Sequence, residues 1–232
     1  MSGDEQITNA ALIVAAGRGS RMMRETPKQY LPLGQQAVLW HTVQAFLRSD
    51  LIDLVRVVIH PEDQALYDAT IATINDARLG DPLLGGASRA VSVRLGLEAL
   101  RAQVPDHVLI HDAARPFCSP DLIAAVLEPL AHVEGAFAAL PVVDALWNSE
   151  AMLATIPVSR EGLWRAQTPQ AFRFKAILAA HAQGDATAAD DVEIACSAGL
   201  QVRVVEGHER NFKITSPRDF ERAERMILDR RA

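Results

Sequence analysis

An α/β fold, with a mostly parallel sheet and helices on both faces, is what this sequence predicts, and two patterns carry the prediction. Short β-branched runs alternate with amphipathic helical periods, as they do where parallel strands are joined by helical crossovers. The first apolar run, Leu12-Ile13-Val14, passes directly into a turn holding Gly17 and Gly19, and sheets of this kind bind ligands at the carboxyl ends of their strands. At 232 residues, 49% apolar and 22% charged, the chain is long enough for one substantial domain.

Each element has its own reason. Leu12–Val14 reads as the first strand, Leu54–Ile59 (Leu-Val-Arg-Val-Val-Ile) as the second, and Val108–His111, Ala136–Val143 and Gln201–Val205 as later ones. Leu39, Val43, Phe46 and Leu47 recur at helical spacing, as do Val93, Leu97 and Leu100, and then Leu122, Ile123, Val126, Leu127 and Leu130. Ser119-Pro120 supplies an N-cap and a proline at the first helical position, and Ser216-Pro217 does the same for a last helix through Ile227. The segment Asp144–Thr168 shows no helical period and is broken by Pro157 and Gly162, with Pro169 just beyond. It is expected to be an extended arm leaving the main sheet, within a single domain spanning residues 1–232.

The formal net charge of −6 argues against a general nucleic-acid or anionic-membrane binder, so any anion site must be a local cluster of cations. Cys118 and Cys196 have no metal spacing and no C-x-x-C pattern, which predicts two reduced thiols in a cytoplasmic protein. The first nine residues lack the basic and apolar regions of a signal peptide. No apolar run approaches the eighteen or so residues of a membrane span.

The glycine turn is the strongest local signal. Gly17 and Gly19, having no Cβ, permit positive φ and close approach of a ligand. Consecutive N–H groups in such a turn make a concave anion site, to which Arg21 and Lys28 would add full charges. The Walker spacing is absent, and Met22 stands where the dinucleotide fingerprint would place a third glycine. A tight connection without a ligand is the competing reading; the two cations and Pro27-Lys28-Gln29 favour phosphate.

Six motifs then come in order: Ala15-Ala16-Gly17-x-Gly19-x-x-Met22, Pro27-Lys28-Gln29-Tyr30, Gly85-Gly86…Arg89…Ser92-Val93, His111-Asp112-Ala113-Ala114-Arg115-Pro116, Thr168-Pro169-Gln170 and Asn211-x-Lys213-x-Thr215. As a set, over about Ala10 to Ile227, the chain resembles the 2-C-methyl-D-erythritol 4-phosphate cytidylyltransferases of the non-mevalonate isoprenoid pathway. The resemblance implies a Rossmann-like nucleotidyltransferase fold with an extended β-arm, Mg²⁺ dependence, and a homodimer joined through the arms. The implied reaction transfers CMP from CTP to the polyol phosphate and releases pyrophosphate, needing positioning and charge stabilisation rather than a covalent nucleophile on the protein. Some bacterial members are fused to the cyclodiphosphate synthase of the same pathway; this sequence is expected to encode no such domain.

Residue by residue, Arg21, Lys28 and Lys213 match the family cations around the triphosphate and α-phosphorus. Ala15, Ala16, Gly17, Gly19 and Ala113 match backbone contacts to the nucleotide, and Gly86, Arg89 and Ser92 match the segment bordering cytosine and ribose. Asp112 matches the Mg²⁺ ligand and a nucleotide contact; a hard carboxylate suits that ion, although an aspartate capping the turn into Ala113-Ala114 is the alternative. Arg115, Arg160, Thr168 and Glu209 match positions near the polyol phosphate, Arg160 reaching in from the partner subunit; for Arg115 an ion pair with Asp112 competes. Asp190-Asp191 resembles a metal pair, but Asp190-x-x-Glu193 fits a capping box, and the structural role is assigned.

The chain departs from the family at Ala145 and Trp147, where a threonine and a lysine are usual, and at Ala87, where relatives carry an acid. A cytidylyltransferase for another polyol phosphate, such as ribitol 5-phosphate, therefore stays open, as does a nucleotide-binding protein without turnover.

Overall fold

In the computed structural model, residues 7–17 and 26–229 are described. β1 (Asn9–Val14) leads through a small hairpin, β2 (Pro32–Leu33) and β3 (Gln36–Ala37), into α1 (Val38–Leu47) and β4 (Leu54–Ile59). α2 (Gln64–Ile71) and the short β5 (Leu83–Leu84) follow, then α3 (Arg89–Ala99), β6 (His107–Asp112), α4 (Pro120–Leu127) and β7 (Gly135–Pro141). A second hairpin, β8 (Leu146–Glu150) and β9 (Leu153–Val158), precedes β10 (Trp164–Arg173), α5 (Phe174–Gln183), α6 (Asp191–Ser197), β11 (Val202–Glu206) and α7 (Pro217–Asp229).

The main sheet has the order β11-β7-β10-β6-β1-β4-β5. Its pairs are parallel except for β10, which runs antiparallel to both β6 and β7. Strand alternation divides the core into two layers. Ala11 and Ile13 belong with Val43 and Phe46 of α1, Tyr67 of α2 and Ile123 of α4. Ala10 and Leu12 belong with Val93 and Leu97 of α3, Ile177 of α5 and Ile194 of α6. Both faces are thus covered, as the alternating sequence pattern predicts. A third cluster, Leu33, Val38, Phe117, Ile214, Ala223 and Ile227, packs α7 against the β2–β3 hairpin and the loop after β6.

The two expected helix starts are present. Ser119 Oγ accepts the Leu122 N–H at 3.2 Å with Pro120 in the first turn. Ser216 Oγ accepts the Asp219 N–H at 3.3 Å, and the Asp219 carboxylate accepts the Ser216 N–H at 2.8 Å, a reciprocal cap on α7. At α6, Asp190 accepts the Glu193 N–H at 3.0 Å and Glu193 reaches back to the Ala189 N–H at 2.8 Å, so this acidic run caps a helix. Both cysteines are free thiols.

Contrary to the expected bounds, the extended excursion does not run to Thr168: the chain rejoins the main sheet at Trp164, as β10, between β6 and β7. Pro169 lacks an N–H and argues against a central strand. A register shift between Ala166 and Gln170 accommodates it, and Gln167, Thr168 and Gln170, polar yet buried, hydrogen-bond to the elements alongside. What leaves the sheet is the β8–β9 hairpin, a two-stranded sheet whose strands, among the described residues, pair only with each other.

The register sets up the site. Val14 is the partner of both Val58 and Asp112, so β1, β4 and β6 reach their carboxyl ends nearly level. The strand order turns back at β1, with β4 on one side and β6 on the other. That reversal opens the crevice in which such sheets bind ligands.

Candidate active site

A cleft of about 470 Å³ lies over those strand ends. Its floor is Val14, Ala15, Ala16 and Gly17 after β1 and Asp112, Ala113 and Ala114 after β6; Gly86, Ala87, Ser88, Arg89 and Ser92 form one wall, and Lys28, Lys213 and Thr215 another. Gly17 does not use the positive φ that the sequence suggested. Among the described residues a Cβ there would meet no atom within 4 Å, and Gly17 lines the cleft. Gly85 is constrained by contact: a Cβ would lie 2.6 Å from the Ala16 Cβ and 2.9 Å from Ser92 Oγ, so the second glycine segment can press against the first. Gly19 and Arg21 lie outside the described residues.

The centre of charge is Asp112. Its Oδ2 is 2.9 Å from Lys213 Nζ and 3.4 Å from Arg115 Nε, and its Oδ1 is 3.5 Å from Arg89 Nε. Burial alone would push this carboxyl up, but Lys213, Arg89 and Arg115 outweigh it and hold the group well below the usual carboxylate range. The Arg115 ion pair that competed in the sequence is formed, and Arg115 Nη1 also donates to the Asn211 carbonyl at 2.8 Å. Lys28 Nζ, from the short turn after Pro27, donates to the Ile214 carbonyl at 2.8 Å. Beside it, the buried Gln29 donates through Nε2 to the carbonyls of Ala15 at 2.6 Å and Gly17 at 3.0 Å.

Two buried relays support this centre from behind. Thr168 Oγ1 accepts the Asp112 N–H at 3.0 Å and lies 3.1 Å from His111 Nδ1, while His111 Nε2 is 3.0 Å from the Arg115 carbonyl. A carbonyl can only accept, so the proton sits on Nε2, and Thr168 donates to Nδ1. Burial pushes the His111 ring down to about 4, consistent with a neutral imidazole. On the other side, Arg89 Nη2 lies 2.8 Å from Asp191 Oδ2, and Asp191 Oδ1 lies 3.1 Å from His181 Nε2, both partners being buried. Burial works against the Arg89 charge, but Asp191 and Asp112 outweigh it and raise the group above an ordinary arginine.

The cleft therefore brings together Lys28, Lys213, Asp112, Ala15, Ala16, Gly17, Gly86, Arg89, Ser92 and Ala113 from the sequence reading. Ser92 Oγ accepts the Gly86 N–H at 3.1 Å and donates to the Ser88 carbonyl at 2.8 Å, which shapes the glycine turn. Thr168 sits beneath the cleft. Glu209 pairs with Arg165 at 2.8 Å on the surface, and Arg160 bonds the Val143 carbonyl at the foot of the arm; neither lines the cleft. Sequence reasoning assigns no site role to Gln29, His60, Asp191 or His181. Of these, Gln29 carries a sequence signal in its place beside Lys28, and Asp191 in the Asp190-Asp191 pair, to which a capping role is assigned.

Cations gathered around open backbone and one ionised carboxylate suit chemistry in which a polyphosphate is positioned and its developing charge stabilised. On this Rossmann-like sheet, that is the work of a nucleotidyltransferase. The profile of the family IspD, 2-C-methyl-D-erythritol 4-phosphate cytidylyltransferase, matches residues 9–230. A 2-C-methyl-D-erythritol 4-phosphate cytidylyltransferase of Cereibacter sphaeroides is 49% identical over 221 residues, covering 95% of this chain and 97% of that one. A bifunctional IspD/IspF enzyme of Rhodospirillum rubrum is 50% identical, with the match covering 94% of this chain and 56% of that protein. The crystal structure of 2-C-methyl-D-erythritol 4-phosphate cytidylyltransferase from Thermus thermophilus superposes with a TM-score of 0.76 at 32% identity, over 94% of this chain and 98% of that one. The chain belongs to the 2-C-methyl-D-erythritol 4-phosphate cytidylyltransferase family.

Proposed function

We infer that this chain transfers CMP from CTP to 2-C-methyl-D-erythritol 4-phosphate, giving 4-diphosphocytidyl-2-C-methyl-D-erythritol and pyrophosphate. The observation that carries the reading is the cation cluster around Asp112 at the ends of β1 and β6, opposite the glycine-bearing turn. A phosphate oxygen of the polyol substrate attacks the α-phosphorus, the bond to the bridging oxygen of the β-phosphate breaks, and pyrophosphate departs with that electron pair. The nucleophile is already anionic, so no side chain need remove a proton from it. Lys28 and Lys213 stabilise charge on the equatorial and leaving oxygens, and Arg89 with the Gly86 turn holds the nucleoside end.

Mg²⁺ is the proposed cofactor. Asp112 fits it: a hard, ionised carboxylate on the cleft floor suits an ion that takes one or two carboxylates together with phosphate oxygens and water. When bound, the ion would neutralise triphosphate charge and polarise the reacting phosphoryl group.

The reading extends to a cytoplasmic homodimer. The β8–β9 hairpin exposes Trp147, Leu153 and Ile156 at 58%, 73% and 60%, and an isolated two-stranded hairpin is marginal in water. A second copy laid against it would cover those side chains and bring its Arg160 toward the substrate. Among the described residues no helix is long and apolar enough to cross a membrane.

The test is α-labelled CTP with Mg²⁺ and either 2-C-methyl-D-erythritol 4-phosphate or ribitol 5-phosphate. Label is expected in the methylerythritol product with stoichiometric pyrophosphate. Ala145 and Trp147 make ribitol 5-phosphate the informative competitor, and higher kcat/KM for it would overturn the substrate assignment.

A further inference from the structure

The mechanism above leaves Gln29 without a role, although its side chain touches the loop that lines the nucleotide cleft. The Gln29 side chain is buried at 3% exposure. One amide nitrogen, with two hydrogens, meets two carbonyls that stand two residues apart on that loop, Ala15 at 2.6 Å and Gly17 at 3.0 Å. Both partners are acceptors only, so the amide orientation is fixed by chemistry. The Ala15–Ala16 peptide is trans, and in a planar trans peptide the N–H points opposite the C=O. With the Ala15 carbonyl turned onto Gln29, the Ala16 N–H faces the other way. Among the described residues that N–H donates to no protein acceptor, and Ala16 lines the cleft.

We propose that Gln29 is a positioning residue for the triphosphate: it clamps two carbonyls of the glycine-bearing loop, keeps their negative ends from the anion, and leaves the Ala16 N–H as a phosphate donor. The proposal rests on the cleft being the CTP site. Two carbonyl dipoles beside a polyphosphate would repel it, and a backbone N–H aimed at an anion attracts it. The effect of losing the clamp must therefore scale with the phosphate charge of the ligand. A purely structural glutamine would weaken all cytidine ligands alike.

The experiment measures calorimetric affinity for CMP and CTP, with Mg²⁺, in the wild-type protein and in Gln29→Met, which keeps the length and removes the donor. Circular dichroism melting follows the fold. CTP affinity is expected to fall about tenfold, as one misdirected charge-assisted hydrogen bond implies, while CMP affinity and the KM for the polyol phosphate stay within about twofold. Gln29→Asn retracts the amide by one methylene, out of reach of both carbonyls, and is expected to show the same CTP-selective loss. Equal losses for CMP and CTP, or no loss, overturn the proposal, and so does failure of both variants to fold, which would make Gln29 a residue of the core. A wild-type protein that binds neither nucleotide would instead remove the functional reading itself.

Discussion

Replacing Asp112 with asparagine removes one negative charge from among three positive ones while keeping the side-chain shape. In the ligand-free protein Lys213, Arg115 and Arg89 lie 2.9, 3.4 and 3.5 Å from the carboxylate, whose side chain is 11% exposed. Removing one partner of a buried ion pair costs about 3–5 kcal/mol, because the remaining charge is left uncompensated. Here Arg89 keeps Asp191 at 2.8 Å and Lys213 is 34% exposed, so the lower end, about 3 kcal/mol, is expected. For a domain of this size that corresponds to about 6–12 °C in melting temperature. The assay is a thermal melt of Asp112→Asn and wild type at pH 7.5, repeated with inorganic tripolyphosphate. The added anion restores the lost charge balance and should stabilise the variant more than the wild type. The Asp112 contribution is present above about pH 4, the unfolded value, and is lost as the pH falls through its much lower folded value, so the variant should lack that acid limb. Turnover should fall at least about a hundredfold. A variant that melts within about 2 °C of wild type without ligand would refute the view that this carboxylate balances the cluster.

Lys28→Ala should lower kcat by about a hundred- to a thousandfold with a much smaller change in CTP affinity, measured by rapid quench and calorimetry; undiminished turnover would remove Lys28 from the chemistry. Arg160→Ala should raise the KM for the polyol phosphate while leaving CTP binding near wild type, since Arg160 sits at the arm and away from the cleft of its own chain. A loss confined to CTP affinity would put the arm assignment in error. His111 is held at about 4 by burial against an ordinary 6.5, so the unfolded chain takes up its proton first as the pH falls. Stability should decline between about pH 6.5 and 4, by about 3 kcal/mol, and melts of His111→Asn over that range should show a shallower decline.

The layers of this fold were legible because they obey period rules. Leu54–Ile59 and the helical spacing of Leu39 to Leu47 state their own geometry, and Ser119-Pro120 states where a helix begins. β10 was not legible, for the opposite reason. Its middle, Gln167-Thr168-Pro169-Gln170, violates strand preference, and what places it in the sheet is tertiary hydrogen bonding. Gln170 Oε1 accepts the Asp191 N–H at 3.1 Å, Asn211 Nδ2 donates to the Thr168 carbonyl at 2.8 Å, and Gln167 Oε1 accepts the His208 N–H at 3.2 Å. Propensity is local and these bonds span from 21 to 43 residues, so no window of sequence contains them.

The same division explains the site. Several cleft-lining residues sit where local sequence announces them: Asp112 at a strand end, Gly86 on a glycine turn and Lys28 in the Pro-Lys-Gln motif. Of the residues that hold those in place, Gln29 is marked by its neighbour Lys28 and Thr168 by its motif, whereas nothing local links Asp191 or His181 to the cleft. Asp191 looks like any acid in the first turn of a helix, and His181 like a basic residue near the end of another. Yet the two form the buried limb that fixes Arg89, with Asp191 between His181 at 3.1 Å and Arg89 at 2.8 Å. Four charged or ionisable groups in series, from His181 through Asp191 and Arg89 to Asp112, make the cleft's electrostatics a property of three helices and a strand together. A cation held at both ends cannot swing away when a ligand competes for Asp112. Arg89 can release that carboxylate, 3.5 Å away, while Asp191, at 2.8 Å, keeps its charge on the cleft wall.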